Sequence, residues 1–268
     1  MSRPLGIVAG SGEFPFYICR EAEKHGYSPV AAAVRDQASP DLEKVCAVCA
    51  RFEPRRMLEI EKFFKRHGVR EAVFAGKIDP RAAFDIEGAG GLLPRLLGLG
   101  SDTTATAIIE KAIRWLTQKG IEVIDPRPFL RGVFCEEGIL SRSHGGGRIL
   151  NDIDFGWDKA RLLADHEVGQ TLVVKNGSVA AVEGLEGTDA AIRRGGELAG
   201  PGIVVVKRSR TRQDPRIDLP AVGLETVKSL AEVRGAALCF EAETMPFFRR
   251  EEAVALADEH GIVLRARS

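Results

Sequence analysis

Short apolar runs alternating with helical patterns dominate the first half of this chain, and few architectures accept that alternation. Residues 5–9 (LGIVA) run into Gly10-Ser11-Gly12, and Phe14-Pro15 then opens a helical pattern that stops at Gly26. A second strand pattern follows at residues 29–34. Pro54 suits a helix start, and the apolar stripe of Met57, Leu58, Ile60, Phe63 and Phe64 ends at Gly68. Residues 72–75 (AVFA) read as a strand ending in Gly76-Lys77, residues 104–119 as a long amphipathic helix, and residues 121–124 as a further strand. Strands that alternate with helices predict an α/β fold whose parallel sheet is covered on both faces, here Rossmann-like.

The second half predicts another α/β layer with a mixed sheet. A helix is expected over residues 152–166. The runs at 171–174 and 179–182 flank Lys175-Asn176-Gly177, a hairpin signal. An arginine-bearing helix follows Thr188-Asp189, then the apolar run 203–206, a helix at 225–233, a strand at 236–240, a helix at 250–260 and a last strand at 262–264. Between the halves, RSHGGGR at 142–148 is polar and glycine-rich. It divides the chain into an N-terminal domain (1–135), a linker (136–150) and a C-terminal domain (151–268) that carries the candidate carboxylates.

Composition narrows the function. With 38 Lys+Arg against 38 Asp+Glu, the formal net charge is +0, which argues against bulk attraction to nucleic acid or to an anionic membrane. Any anion site must be local. No run approaches the ~20 apolar residues of a bilayer span, and the start resembles a strand rather than a leader peptide. The five cysteines are scattered, which does not suggest a disulfide framework. Cytoplasmic is the resulting expectation. Cys46-Ala-Val-Cys49 has redox spacing but lies in VCAVCA, which reads as a small buried strand. His25, His67 and His260 each precede a glycine, the pattern of a helix C-terminus.

Three stretches carry candidate chemistry. Gly10, Ser11 and Gly12 form a glycine turn after the first strand, where backbone can approach a phosphate. Pro15 stands where a dinucleotide fingerprint needs its third glycine, and a structural turn accounts for the pattern equally. Lys77, after a neighbouring strand, would reach the same crevice. The second stretch, 183–189 (EGLEGTD), offers Glu186, Thr188 and Asp189. Thr188 as a helix cap with Asp189 in the first turn is one reading, and an oxygen-rich magnesium site is the other. The third stretch, KRSRTRQDPRIDLPAVG at 207–223, places Lys207, Arg208, Arg210, Arg212 and Arg216 beside Asp218. Guanidinium forks suit phosphate oxygens and a nearby carboxylate suits a divalent metal, although a solvated basic loop gives the same pattern. These parts suit phosphoanhydride hydrolysis.

Taken together, GIVAGSGEFP, FAGKI, DIDFGWDKARLL, GQTLVVKNGSVAAVEGLEGTDAAIRR and RQDPRIDLPAVG resemble the UDP-2,3-diacylglucosamine pyrophosphatases of the LpxI type, over nearly the whole chain. The resemblance implies two α/β domains joined by a linker. It also implies magnesium-dependent hydrolysis of UDP-2,3-diacylglucosamine to UMP and 2,3-diacylglucosamine 1-phosphate (lipid X) in lipid A synthesis, with water directed at the β-phosphorus. By that resemblance Asp218 is the essential aspartate, and Glu186 and Asp189 are the further catalytic carboxylates. Asp218 and Asp189 are the metal candidates, and Lys207, Arg210, Gln213 and Arg216 are the phosphate-binding positions. The family's G-D-D segment is Gly100-Ser101-Asp102 here, leaving Asp102 as the candidate in that loop. Lys77 replaces a small polar residue of the family, and Arg210 a lysine.

An acylated substrate needs an apolar shelter, for which residues 88–100 (GAGGLLPRLLGLG) are the candidate cover; as sequence alone they read as a short buried loop. Peripheral contact with the inner membrane would follow from such a substrate, and a homodimer is left open. The competing readings are a nicotinamide-dependent oxidoreductase and a non-catalytic nucleotide-sugar sensor. The first lacks the third glycine, and Glu21 and Glu23 lie on the first helix rather than at the end of the second strand, where a ribose-binding acid is expected. The second would need the cations but not the carboxylates.

Overall fold

A computed structural model describes residues 2–53, 56–78 and 105–268. Asp102 and the leucine-rich stretch 88–100 lie outside the described residues. The chain forms two compact units: Met1–Gly132 with Asp214–Asp218, and Val133–Gln213 with Leu219–Ser268.

The first unit is built on a parallel sheet of order β3-β2-β1-β4-β5. Its strands are β1 (Arg3–Ala9), β2 (Tyr27–Val34), β3 (Val48–Phe52), β4 (Glu71–Ala75) and β5 (Glu122–Val123). The helices are α1 (Phe14–Lys24), the short α2 (Leu42–Val45), α3 (Met57–Arg66) and α4 (Ala105–Gln118). Leu5, Ile7 and Ala9 of β1 are fully buried although their side chains share one face, and Val8 on the other face is buried too. Such two-sided burial is why the strand is apolar throughout rather than on alternate residues. Phe64 of α3 and Leu116 of α4 complete one face of the core with Val8, Val30 and Ala32. Full burial of each such side chain contributes about 1.5–3 kcal/mol. Ile217, from the Asp214–Asp218 segment, packs on this same cluster.

The second unit has a six-stranded sheet of order β6-β13-β11-β9-β7-β8. The strands are β6 (Gly138–Ile139), β7 (Thr171–Lys175), β8 (Ser178–Val182), β9 (Val204–Lys207), β11 (Ala237–Glu241) and β13 (Val263–Arg267), with β10 (Val222–Gly223) and β12 (Phe247–Phe248) paired separately. The central strands β9, β11 and β13 are parallel, and β6, β7 and β8 run antiparallel to their neighbours, so the sheet is mixed as expected. Helix α5 (Gly147–Asp165) covers one face, packing Ile153, Trp157 and Ala160 on Val204 and Val206. Ile203 and Val205 point the other way, into a core that includes Ile192 of α6 (Thr188–Ala199), Val227 of α7 (Leu224–Glu232) and Ala257 of α8 (Arg250–His260). A period of two thus divides one apolar run between two cores.

The β7–β8 hairpin turns on Asn176 (φ 50°) and Gly177 (φ 70°), the two left-handed positions that a type I′ turn requires. Buried Asp152 accepts both turn amides, from Asn176 at 2.8 Å and from Gly177 at 2.6 Å. Residues 136–150, read from sequence as a linker, contribute edge strand β6 and the first turn of α5. They are tied down by Leu140 N–H to Leu264 O at 2.8 Å and by Leu264 N–H to Ser141 Oγ at 2.9 Å. Leu140, Ile149 and Leu150 also pack on the cores, but the glycine- and arginine-rich run 142–148 between them masks this order in the sequence.

All five cysteines are free. Burial pushes the Cys49 thiol up to about 11, and the Cys46 Sγ lies 3.3 Å from Val48 O, so this pair is structural. His25 and His67 cap the C-termini of α1 and α3, and His260 occupies the last turn of α8. Among the described residues no helix is long and apolar enough to cross a membrane.

Candidate functional site

In the first unit the strand order reverses at β1, whose neighbours are β2 on one side and β4 on the other. Open α/β sheets bind ligands at the carboxyl ends of the strands flanking such a reversal. Gly10–Gly12 and Gly76-Lys77 stand there, and they are bonded to each other. Ser11 N–H donates to Lys77 O at 2.9 Å and Lys77 N–H to Ser11 O at 3.2 Å, and the Ser11 hydroxyl also donates to Lys77 O at 3.0 Å. The two turns therefore form one backbone platform, from which the exposed Lys77 extends. A Cβ on Gly76 would lie 2.3 Å from Ser11 O, and its φ of +88° disfavours a side chain independently. Gly76→Ala is accordingly expected to destabilise the protein by roughly 2–3 kcal/mol, measured as a lowered urea midpoint at unchanged slope.

Asp218 and Arg216 also belong to the first unit, on a turn rather than a strand. Ile217 N–H and Asp218 N–H both donate to Asp214 O, at 3.1 and 3.2 Å. The Arg216 guanidinium grips Asp214 with Nε–Oδ1 at 3.0 Å and Nη2–Oδ2 at 2.7 Å, which holds the Asp214 carboxyl below its ordinary range. Arg216 thus braces the turn that carries Asp218. The sequence had placed this segment in the second domain; Ile217, packed on the first core, explains its actual grouping.

The second unit gathers Thr188 and Lys207. Strand β9 ends in Lys207, which is 8% exposed, and its ammonium donates to Thr188 Oγ1 at 2.8 Å. The Thr188 hydroxyl in turn donates to Glu183 Oε1 at 2.9 Å. Thr188 is therefore not the expected helix cap: Gly187 (φ 84°) occupies that position without a side-chain bond, and Thr188 is the first helical residue. Asp189 lies in the first turn of α6, where the helix dipole favours a carboxylate.

Glu186 is engaged elsewhere, accepting from Arg194 Nη2 at 2.5 Å and from Gly184 N–H at 3.0 Å. Arg194, chiefly, holds its carboxyl below the usual range. Glu186 folds its own loop rather than joining Asp189. Arg210 pairs with Glu167 at 2.8 Å, and its backbone N–H donates to Gln213 Oε1 at 3.2 Å. Among the described residues no three His, Cys, Asp or Glu side chains converge as a metal cage.

Two further anchors set this loop, and sequence reasoning missed both. Glu241, 6% exposed at the end of β11, accepts from Arg208 Nε at 2.9 Å, from Ser209 N–H at 3.1 Å and from Arg161. The Arg208 guanidinium lies 3.9 Å from the Trp157 ring centre. Asp165 accepts from Thr211 N–H at 2.6 Å and from the Thr211 hydroxyl at 2.8 Å, bonds that lower its pKa. A lowered folded pKa means that this latch acts above the unfolded carboxylate pKa and is lost as pH falls through the folded value. The midpoint of the Thr211 amide shift in a pH titration by NMR is expected to lie below the ordinary aspartate value of about 3.9.

Comparison with known proteins agrees with this two-part organisation. Residues 4–133 match the LpxI N-terminal domain and residues 136–265 the LpxI C-terminal domain. The UDP-2,3-diacylglucosamine pyrophosphatase LpxI of Caulobacter vibrioides is 28% identical over 271 residues, covering 97% of this chain and 96% of that protein. Among solved structures, the biotin carboxylase domain of Hydrogenobacter thermophilus 2-oxoglutarate carboxylase aligns at a TM-score of 0.31 and 12% identity, covering 74% of this chain and 41% of that one. A second structure, of a thermophilic 2-oxoglutarate carboxylase, also gives 0.31, at 14% identity, covering 69% and 39%. Matched along both halves by the family's two domain models, this chain belongs to the LpxI family.

Proposed function

We propose that this protein hydrolyses the pyrophosphate bond of UDP-2,3-diacylglucosamine, releasing UMP and 2,3-diacylglucosamine 1-phosphate, in a magnesium-dependent reaction. The match along 97% of the chain to a relative named for that pyrophosphatase activity carries the reading. The residues are chemically apt. The Gly10–Gly12 platform and Lys77 suit the nucleotide phosphates, and Lys207 suits the charge that develops on the phosphoryl group. Asp218, on its braced turn, is the candidate to orient water toward the β-phosphorus. Glu186 and Arg216 act one step back, shaping the loops that present Asp189 and Asp218.

In this reading the magnesium ion arrives with the pyrophosphate rather than being held permanently. Magnesium often takes only one or two protein carboxylates, with phosphate oxygens and water completing the octahedron. Asp189 and Asp218 are the residues that would hold it. When bound, it would neutralise charge on the phosphoryl oxygens. The acyl chains make peripheral contact with a membrane a natural companion of this substrate.

Incubation with UDP-2,3-diacylglucosamine and magnesium is expected to release UMP, and EDTA to stop the release until magnesium is restored in excess. Turnover unaffected by EDTA would remove the metal from the reaction. Saturable binding without hydrolysis would favour a sensor, and reduction of a nicotinamide cofactor would favour an oxidoreductase.

A further inference from the structure

Glu183, Thr188 and Lys207 come from three different elements: the residue after β8, the first residue of α6 and the last residue of β9. Counting protons fixes the direction of the bonds between them. An ammonium only donates and a carboxylate only accepts, so the Thr188 hydroxyl must receive from Lys207 and give to Glu183. The hydroxyl thereby couples the two charges without direct contact and leaves the ammonium two further N–H donors. The bridge is closed in on its inner side: Glu183 N–H donates to Thr171 O at 2.9 Å, and the Thr171 hydroxyl lies 3.5 Å from Thr188 Oγ1. One feature exceeds structural need. Glu183 Oε2 is buried and meets no donor among the described residues, a condition that costs about 1–3 kcal/mol.

We propose that Glu183 is a positioning residue for the hydrolysis. Through Thr188 it fixes the Lys207 ammonium at the carboxyl end of β9 for a phosphate oxygen. The assignment rests on the pyrophosphatase reading and adds a carboxylate outside the aspartates already considered.

The test uses the full chain with Glu183→Gln and Glu183→Ala, Thr188→Val and Thr188→Ser, and the Glu183→Ala/Thr188→Val double variant. Circular dichroism melting confirms that each is folded at the assay temperature. Glu183→Ala and Thr188→Val are each expected to lower kcat about 10–100-fold with KM changed less than about threefold, the pattern of an interaction used in the transition state. The double variant should be no worse than the poorer single, because both act through one bridge. Thr188→Ser should recover most of the loss, and Glu183→Gln should fall between Glu183→Ala and wild type.

Pyrophosphate affinity, measured by titration calorimetry in the same variants, separates the two ideas. If wild type releases no UMP while pyrophosphate binding weakens non-additively in the variants, the substrate reading fails and the positioning role stands. Single variants that turn over at the wild-type rate, or losses that multiply in the double variant, overturn the positioning role. A wild type that neither turns over nor binds pyrophosphate overturns both.

Discussion

Asp218→Asn is expected to lower UMP release by roughly two to four orders of magnitude, the usual scale for losing a positioned acid or base. The amide keeps the size of the carboxylate and can still accept a hydrogen bond, so the 214–218 turn, held through Asp214 O, the Arg216–Asp214 pair and the Ile217 contact, should persist. An unaltered urea midpoint with lost turnover would assign the effect to chemistry. Retention of full activity would remove Asp218 from the mechanism. An Arg216→Ala variant makes a useful contrast. It releases Asp214 and loosens the turn, so a smaller loss of activity is expected from it than from Asp218→Asn.

Glu241→Ala should be the most destabilising single change described for the second unit, at about 3–5 kcal/mol, because it strands the buried Arg208 cation. Arg208 is 9% exposed and its pKa is lowered mainly by burial, so the protein interior already disfavours its charge. Removing the carboxylate also leaves the Ser209 amide without its acceptor. Globular domains hold only about 5–15 kcal/mol in all, so a loss on this scale should be plain in a denaturant titration. Glu241→Gln retains an acceptor for Ser209 and should cost less. A midpoint unchanged in Glu241→Ala would mean that the Trp157 ring and water suffice for Arg208.

How much of this was legible in the sequence depends on what held each feature. Buried strands such as residues 203–206 were read correctly because burial on both faces imposes a continuous apolar run. The Asn176-Gly177 turn was equally plain, since two left-handed residues admit few side chains. Glu241 was invisible because a lone glutamate ending an apolar strand looks solvent-exposed, and its partners Arg208 and Arg161 lie 33 and 80 residues away. The cap reading of Thr188, one of the two the sequence offered, fails because Thr-Asp before a helical pattern is a strong start signal and nothing local reveals that Gly187 takes that position. Residues 214–218 group with the first unit, yet Ile217 is the one apolar side chain the segment offers that core, too little to register as periodicity.

The first unit is not contiguous in the chain, because its 214–218 turn is encoded after most of the second unit. A ribosome that has released residues 1–132 has therefore supplied the sheet but not Ile217, so that patch of core must wait uncovered while more than eighty further residues emerge. Closure of that patch of the N-terminal core therefore waits for residues 214–218, and the carboxylate expected to direct water arrives on the same short segment.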